Sequence, residues 1–236
     1  ALQKRGKIMK ITVIHGQSHK GSTYNIAKQL CDKLSGEVTE FFLPTDFDCF
    51  CKGCAVCFTD ETKCPHYEKL LPITKSMDDA DVIILTSPVY VMHATGSMKA
   101  FLDHYGYRFL VHRPEEKMFK KQAVCISTAA GAGMKSTIKD MADSTFFWGI
   151  SKTYKLGFAV METRWEMVKP SIKSKIDKKT TSIAKTISKK VDTIKPNIKT
   201  KAFFSIMSVM QKKGFNPADV EYWKAKGWTN GKRPWR

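Results

Sequence analysis

The residues best suited to chemistry are four cysteines in one short run, Cys51, Cys54, Cys57 and Cys64, spaced C-x2-C-x2-C-x6-C. Four thiolates in a compact run are the usual ligands of iron–sulfur clusters, and a known bacterial cluster-binding run also ends in Cys-Pro. Cys64-Pro65 repeats that ending, although the last spacing is longer here. The run therefore predicts a metal or redox centre carried by one loop.

Three interpretations of this cysteine run stay open. The first is a [4Fe–4S] cluster, for which four such thiolates are sufficient. The second is zinc, although zinc sites more often use two separated C-x2-C pairs. The third is a packed loop of free thiols. Cys49 is a substitute ligand, whereas Cys31 and Cys125 fall in a predicted helix and a predicted strand and are expected in the core.

A second set of candidates follows the first predicted strand, where Gly-Gln-Ser-His-Lys-Gly-Ser-Thr leads into a helix. The free amides and the positive dipole end of a helix N-terminus suit a phosphate group. Gly16 and Gly21 permit close backbone approach, and Ser22 and Thr23 offer hydroxyl groups. The alternative is that Ser22 or Thr23 only caps the helix, which requires no ligand. Neither the P-loop pattern nor G-x-G-x-x-G is present.

These loops are positioned by strands that alternate with helices. Apolar runs of strand length occur at residues 8–15, 37–43, 81–86, 122–127 and 155–160. Helical patterns lie between them, at residues 23–34, 67–77, 97–110 and 134–148. Apolar strands without alternation indicate burial on both faces and hence a parallel sheet. We predict an α/β fold, a doubly wound five-stranded parallel sheet with helices on both faces and ligands at the carboxyl ends of its strands.

The C-terminal part has a different character. Apolar residues at mostly four-residue spacing between 172 and 194 predict a helix, ended by Pro196, that packs against the sheet; a helix lying on a membrane surface is the alternative. We expect residues 196–236 to form a helical aromatic extension that caps this subunit or clasps a partner subunit. Residues 165–236 carry 18 Lys and Arg against five Asp and Glu. Such a surface attracts nucleic acid, anionic membranes or acidic proteins, but no nucleic-acid-binding motif is visible, so nucleic acid is not an expected partner.

Three blocks carry a family resemblance. GQSHKGSTYN at residues 16–25, the cysteine run, and SPVYVMHATGSMKAFLDH at residues 87–104 resemble the NAD(P)H-dependent FMN reductase family of flavodoxin-like proteins. Within that family, the cysteine run resembles the iron–sulfur flavoproteins. The resemblance covers residues 9–164 and implies a flavodoxin-like fold with FMN at the strand ends.

By position, the resemblance implies that three loops contact FMN: the first at the phosphate, the second along the ribityl chain and ring, and the third as the remaining wall. In that order the residues are Gln17, Ser18, His19, Lys20, Gly21, Ser22, Thr23 and Tyr24; Ser87, Pro88, Val89, Tyr90, Val91 and Met92; and Thr128, Ala129, Ala130 and Gly131. The family usually has Ser-Pro-Arg where this chain has Gln17-Ser18-His19. That change removes a permanent charge from the phosphate site, and Lys20 is the available replacement.

The function implied by the resemblance is an FMN-dependent oxidoreductase. NAD(P)H or another donor would reduce FMN, and the electrons would pass to a small acceptor such as a quinone or nitro compound, or through the cysteine run to a cluster. His93, after the second loop, is the candidate proton donor, whereas His15 is expected to be structural. The alternative is a non-catalytic electron carrier that docks on redox proteins such as a ferredoxin.

Domain organisation and location are further expectations. Residues 1–8 are expected to be a tag or a loose tail, residues 9–195 the FMN-binding domain and residues 196–236 the extension. No signal peptide or membrane-spanning stretch is visible, which predicts a cytoplasmic protein in a reducing compartment. The resemblance also implies a homo-oligomer, since sites in this family often lie between subunits.

Overall fold

A computed structural model describes residues 8–214 and 216–236. Its five strands are β1 (Lys10–His15), β2 (Glu37–Phe42), β3 (Val82–Pro88), β4 (Gln122–Ala129) and β5 (Lys152–Ala159). Its α-helices are α1 (Ser22–Leu34), α2 (Tyr67–Asp79), α3 (Gly96–Asp103), α4 (Met134–Phe147), α5 (Pro170–Ser188), α6 (Ile198–Met210) and α7 (Pro217–Ala225). The expected tail at residues 1–8 lies, except for Ile8, outside the described residues.

The strands form one parallel sheet in the order β2-β1-β3-β4-β5. Alternate side chains of each central strand enter two separate cores. Ile83 and Leu85 of β3 pack with α2, α3 and α4, whereas Val82 and Ile84 pack with α1 and α5. The predicted doubly wound α/β sheet with helices on both faces is confirmed.

The edge strands differ from the prediction that strands are buried on both faces. Residues 37–40 of β2 are all exposed, and most of β5 is exposed or half-buried. An edge strand has one neighbour, and fewer helices cover it. Polar residues such as Glu37 and Thr39 are therefore tolerated there.

The predicted helix that was to run to Pro196 ends earlier, at Ser188. The reason is packing. Ile187 is the last side chain of α5 that reaches the core, and the side chain of Gln122 donates a hydrogen bond of 3.1 Å to its carbonyl oxygen. The residues that follow, such as Lys189 and Lys190, are exposed and gain no apolar burial from a longer helix.

The C-terminal extension packs against its own chain. Phe204 of α6 and Trp223 of α7 share a third core with Leu110 and Phe119 from the segment between α3 and β4. The Trp223 indole donates a hydrogen bond of 2.5 Å to the carbonyl oxygen of His112. Of the two expected arrangements, the structure contains the cap on the same subunit. In the described part of the chain, no helix is both long enough and apolar enough to cross a membrane.

Candidate functional site

Three loops meet at the carboxyl edge of the sheet because β1, β3 and β4 are neighbours in it. The amide of Gly16, after β1, donates a hydrogen bond of 2.7 Å to the carbonyl oxygen of Thr86 in β3. The amide of Val89, after β3, donates one of 2.9 Å to Thr128 in β4. The three predicted loops therefore lie side by side at one edge of the sheet, at the position where such folds bind ligands.

Gly16 allows the first loop to approach α3 closely. A Cβ atom at this position would lie 2.9 Å from both the Thr86 carbonyl oxygen and the Thr95 hydroxyl oxygen. Thr95 donates a hydrogen bond of 2.6 Å to the Gly16 carbonyl oxygen and accepts one of 3.1 Å from the amide of Met98, capping α3. Thr95 is not among the residues predicted from the sequence, although a threonine before Gly-Ser and an apolar helix is a recognisable N-cap signal.

The N-terminus of α1 has no side-chain cap. The helix begins at Ser22, and its N-cap is Gly21, which provides no side-chain cap. The alternative prediction that Ser22 or Thr23 caps the helix is therefore wrong. The buried Ser22 hydroxyl has no hydrogen-bond partner among the described residues. First-turn amides lack intrahelical partners, and the first turn contains no acidic residue, so donors without partners collect at this point.

The remaining side chains of the first loop point in different directions. Gln17 donates a hydrogen bond of 2.9 Å to the Tyr90 hydroxyl in the second loop. The Ser18 hydroxyl lies 2.8 Å from that of Thr45. The Lys20 ammonium group lies 5.3 Å from the centre of the Tyr24 ring and 5.8 Å from that of Phe42. Its charge is thus kept at the loop by aromatic side chains.

The second loop makes a tight turn with unusual backbone angles. Tyr90 and His93 exchange two backbone hydrogen bonds of 2.9 and 3.0 Å, and the two residues between them, Val91 and Met92, have φ values of 47° and 68°. Turns with two positive φ angles favour Gly and Asn, and a β-branched residue is strained there. Val91 is also 96% exposed and Met92 55%. Strain at an exposed apolar turn is typical of a functional surface.

The third loop packs against the second. Thr128 and Ala129 still belong to β4, and Ala130 and Gly131 follow as exposed residues. At Gly133, which has a φ of +93°, a Cβ atom would lie 2.5 Å from the side chain of Val89. Only glycine fits this position, and it brings the third loop against the second. The Ser136 hydroxyl donates a hydrogen bond to the Met92 carbonyl oxygen.

His93 and His15 differ in environment. His93 is exposed, and its Nδ1 atom lies 3.0 Å from a carboxylate oxygen of Asp140 in α4. That carboxylate also accepts a hydrogen bond of 3.1 Å from the Ala94 amide, which orients the pair. His15 is buried, lies 2.9 Å from Glu40 and stacks on Phe42. Burial lowers the pKa of His15 below its usual 6.5, although Glu40 opposes the shift.

The four cysteines of the run line one cavity of about 90 Å³, together with His66 and His104. All are free thiols. Burial raises the pKa of Cys57, and the neighbouring thiols of Cys64, Cys51 and Cys54 raise it further. The structure therefore brings the predicted ligands together. Cys49 does not line this cavity; its thiol lies 3.4 Å from the carboxylate of Asp48.

The two histidines form a hydrogen-bonded pair on the cavity wall. His104 Nδ1 lies 2.7 Å from the carbonyl oxygen of Ala100, which can only accept, so this nitrogen carries the proton. In the neutral ring, His104 Nε2 then accepts from His66 Nδ1 at 2.9 Å. Burial lowers the pKa of His104, which favours the neutral ring. The ligand atoms of Cys64, His66 and His104 lie within 4.8 Å of one another.

Cys31 and Cys125 are core residues, as predicted. Both are buried, and burial raises the pKa of each thiol to about 12. A buried thiol with such a pKa is a poor nucleophile at neutral pH.

The strand order of the parallel sheet, with helices on both faces, makes the fold flavodoxin-like. Similar solved structures include a flavone reductase, at a TM-score of 0.57 and 15% identity over 80% of this chain and 66% of that chain. A second is an azoreductase from Bacillus anthracis, at a TM-score of 0.56 and 11% identity over 77% of this chain and 100% of that chain. At these identities the likeness concerns the fold.

The family follows from the sequence match. The model of the NADPH-dependent FMN reductase family matches residues 9–159, and the chain belongs to that family. An iron–sulfur flavoprotein from Archaeoglobus fulgidus is 30% identical over 117 residues, which are 48% of this chain and 50% of that protein. One from Methanocaldococcus jannaschii is 29% identical over 142 residues, 56% of this chain and 69% of that protein. The chain thus matches about half of the length of the Archaeoglobus relative.

Proposed function

We propose that this protein is an oxidoreductase that binds FMN at the carboxyl edge of its sheet, accepts electrons from NAD(P)H and passes them to a small acceptor such as a quinone or nitro compound. The observation that carries the proposal is the N-terminus of α1, with its buried, unpartnered Ser22 hydroxyl beside free amides. A buried polar group without a partner is costly. A phosphate at this position would remove that cost.

The residues of the site fit FMN in kind. Ser22, Thr23 and the first-turn amides of α1 would hold the phosphate, as helix N-termini do. The turn at Ser87–Met92 would line the ribityl chain and ring, with Thr128–Gly131 opposite. FMN, when bound, supplies hydride and electron transfer. The chain's own part is to orient the cofactor, to limit water through its apolar turn, and to move a proton at His93, which Asp140 orients.

We also propose that the cysteine run holds a [4Fe–4S] cluster. Four thiols line one cavity, which is the donor set of such a cluster. The names of the archaeal relatives, iron–sulfur flavoproteins, also support a cluster.

The first test is the absorption spectrum of anaerobically purified protein, together with iron and acid-labile sulfide analysis. We expect flavin bands and about four irons and four sulfides per chain. Flavin without iron would leave the oxidoreductase proposal standing and remove the cluster. A protein that binds no FMN would overturn both the site and the activity. Cys54→Ser is expected to lose iron and keep FMN, whereas the matched control Cys31→Ala keeps both.

The second test separates the enzyme from an electron carrier. The carrier is supported by the exposed Cys51 and Cys54 and by the basic residues after 165, which suit an acidic partner such as a ferredoxin. Rapid mixing with NADPH and with NADH, followed by a quinone, measures the enzyme directly. Reduction only by a protein donor, at a rate that falls with salt, would favour the carrier.

The expected homo-oligomer remains part of the proposal. Val91 and Met92 are exposed apolar side chains beside the site, and a second copy would remove them from water. Sedimentation at several protein concentrations measures the oligomeric state. A monomer throughout would contradict this part of the proposal.

A further inference from the structure

We propose that the C-terminal helix α7 is a working part of the cysteine site: Asp219 holds Arg113, and Arg113 fastens the backbone that carries Cys57. We call this set, Asp219, Arg113 and the carbonyl groups of Cys57 and Phe58, the Arg113 bridge. The cluster aspect of the inference rests on the proposed function. The role of the bridge in holding the Cys57 backbone in place does not rest on the proposed function, because it concerns only the protein's own atoms.

The guanidinium group of Arg113 joins three segments of the chain. It donates hydrogen bonds of 2.7 Å to the Cys57 carbonyl oxygen and 2.5 Å to that of Phe58. It also donates one of 3.3 Å to Asp219, which lies 106 residues away in the sequence, and one of 3.1 Å to Glu61. The planar fork of arginine suits such multiple contacts, and lysine cannot reproduce them.

Further contacts from the same extension reach the same place. The side chain of Asn216, the N-cap of α7, donates a hydrogen bond of 2.8 Å to the Phe58 carbonyl oxygen. The second carboxylate oxygen of Asp219 lies 2.8 Å from His112 Nδ1. The His112 ring in turn lies 4.5 Å, between centroids, from that of Phe58. The N-terminal end of α7 thus contacts the cysteine run both through Arg113 and directly, through Asn216.

The cysteine run needs such fastening because its own structure is local. Between β2 and α2 it contains only two 3-10 turns, Val56–Phe58 and Glu61–Lys63. Their backbone bonds, such as Phe58 to Ala55 and Cys64 to Glu61, span three residues. Short-range bonds fix a turn but not its place on the protein. The Arg113 bridge supplies that placement.

The charged side chains of the Arg113 bridge are buried. The side chains of Arg113 and Asp219 are 9% and 3% exposed. Loss of Asp219 would leave the buried Arg113 with Glu61, which is 42% exposed, as its remaining carboxylate partner, and removal of a buried partner from such a pair is destabilising. Contacts that orient metal ligands from outside the ligand set change metal retention by roughly 10–100-fold when they are removed. The positive charge beside Cys57 would also favour the reduced, more negative state of a centre held there.

The test compares Asp219→Asn with Lys226→Met in the full-length, anaerobically purified protein. Asp219→Asn removes the charge that holds Arg113. Lys226→Met cuts a different contact of α7 with the body, the 3.2 Å ion pair between Lys226 and Glu116. We expect iron loss to a chelator to accelerate roughly tenfold in Asp219→Asn and to stay unchanged in Lys226→Met, with equal FMN content in both.

A second measurement tests, without iron, whether the Arg113 bridge holds the Cys57 backbone in place. In metal-free full-length protein, alkylation of Cys57 by iodoacetamide, read by peptide mass spectrometry, should be several-fold faster in Asp219→Asn than in wild type or Lys226→Met. If wild type binds no iron, the cluster proposal fails and this comparison alone decides the fastening. Rates for Asp219→Asn equal to wild type, or equal to Lys226→Met, would overturn the inference.

Arg113 variants separate position from charge and cover the case in which Asp219→Asn does not fold. Arg113→Lys keeps the charge without the fork, so faster iron loss and faster Cys57 alkylation are expected at a nearly unchanged midpoint potential. Arg113→Gln should also lower the potential of the centre, because the positive charge is gone. An unchanged potential in Arg113→Gln, with wild-type alkylation of Cys57 in Arg113→Lys, would contradict the bridge.

Discussion

The side-chain amide of Gln17 lies 2.9 Å from the hydroxyl of Tyr90, and this hydrogen bond links two loops that are 73 residues apart. It closes the edge of the sheet between the first loop, which carries the α1 N-terminus, and the second, which carries the strained turn at Val91 and Met92. The bond therefore couples the proposed phosphate end of the site to its proposed ring end.

Removal of this bond should weaken FMN binding modestly. An exposed neutral hydrogen bond contributes about 1 kcal/mol, so Tyr90→Phe should raise the FMN dissociation constant roughly fivefold. Fluorescence titration of the cofactor measures the change. The control is Tyr154→Phe, which removes a bond to Gln122 at the opposite end of the sheet and should leave the constant unchanged. Equal FMN dissociation constants for wild type, Tyr90→Phe and Tyr154→Phe would show that the hydrogen bond between Gln17 and Tyr90 does not contribute to FMN binding.

The substitution Ser22→Ala should have opposite effects on the stability of the FMN-free protein and of the FMN-bound protein. Its buried hydroxyl has no partner among the described residues, so Ser22→Ala should leave the cofactor-free protein equally stable or more stable, by up to about 1 kcal/mol. The same change should weaken FMN binding about tenfold, because a hydrogen bond to a charged phosphate is lost. Thermal unfolding with and without FMN tests both signs. If Ser22→Ala lowered the stability of both the FMN-free and the FMN-bound protein, the hydroxyl would have a structural role and not a role in phosphate binding.

His93 should affect turnover more than binding. If it donates a proton, His93→Gln should lower kcat by about 100-fold while the FMN dissociation constant stays constant. Asp140→Asn should have a smaller effect, since Asp140 orients the ring through the 3.0 Å contact. Asp143→Asn on the same helix, which loses only its ion pair with Lys139, is the matched control. Full activity of His93→Gln would remove it from the proton path.

The cysteines should divide sharply in reactivity. At pH 8, a thiol whose pKa is raised to about 12, as for Cys31 and Cys125, is a thiolate only about once in 10⁴ molecules. In metal-free protein, iodoacetamide should therefore modify the exposed Cys51 and Cys54 first and leave Cys31 and Cys125 unmodified until the protein unfolds. Mass spectrometry over time measures the order. Early modification of Cys125 would contradict its burial in the sheet.

His15 should make stability depend on pH. Because burial lowers its pKa below the unfolded value of 6.5, the unfolded chain binds more protons once the pH falls below about 7. The free energy of unfolding contributed by neutral His15 is present above pH 6.5 and is lost as the pH falls toward the folded pKa. Urea unfolding between pH 7.5 and 5 should show a steeper decline in wild type than in His15→Gln. Equal slopes would mean that other groups control this range.

The sequence by itself determined the class of fold and which loops share one edge of the sheet. Runs such as residues 82–86 and 122–127 are apolar without alternation, and only a parallel sheet covered on both faces buries them. Loops that follow parallel strands must share one edge, so the three glycine-containing or proline-containing loops were predictable as neighbours. The spacing of the four cysteines is likewise a local property, and it was enough to predict that they lie together.

Tertiary structure decided what local spacing does not encode. Three features depend on neighbours elsewhere in the chain. They are the Gly21 N-cap of α1, the end of α5 at Ser188, and the positive φ angles of Val91 and Met92. The contact between Arg113 and Asp219 spans 106 residues. A hydrogen bond between such distant residues leaves no periodic trace in sequence, because its energy is realised only after the sheet, the cysteine run and α7 have packed together. The candidate ligand residues were therefore predictable from the chain, whereas their contacts with distant residues became visible only in the folded protein.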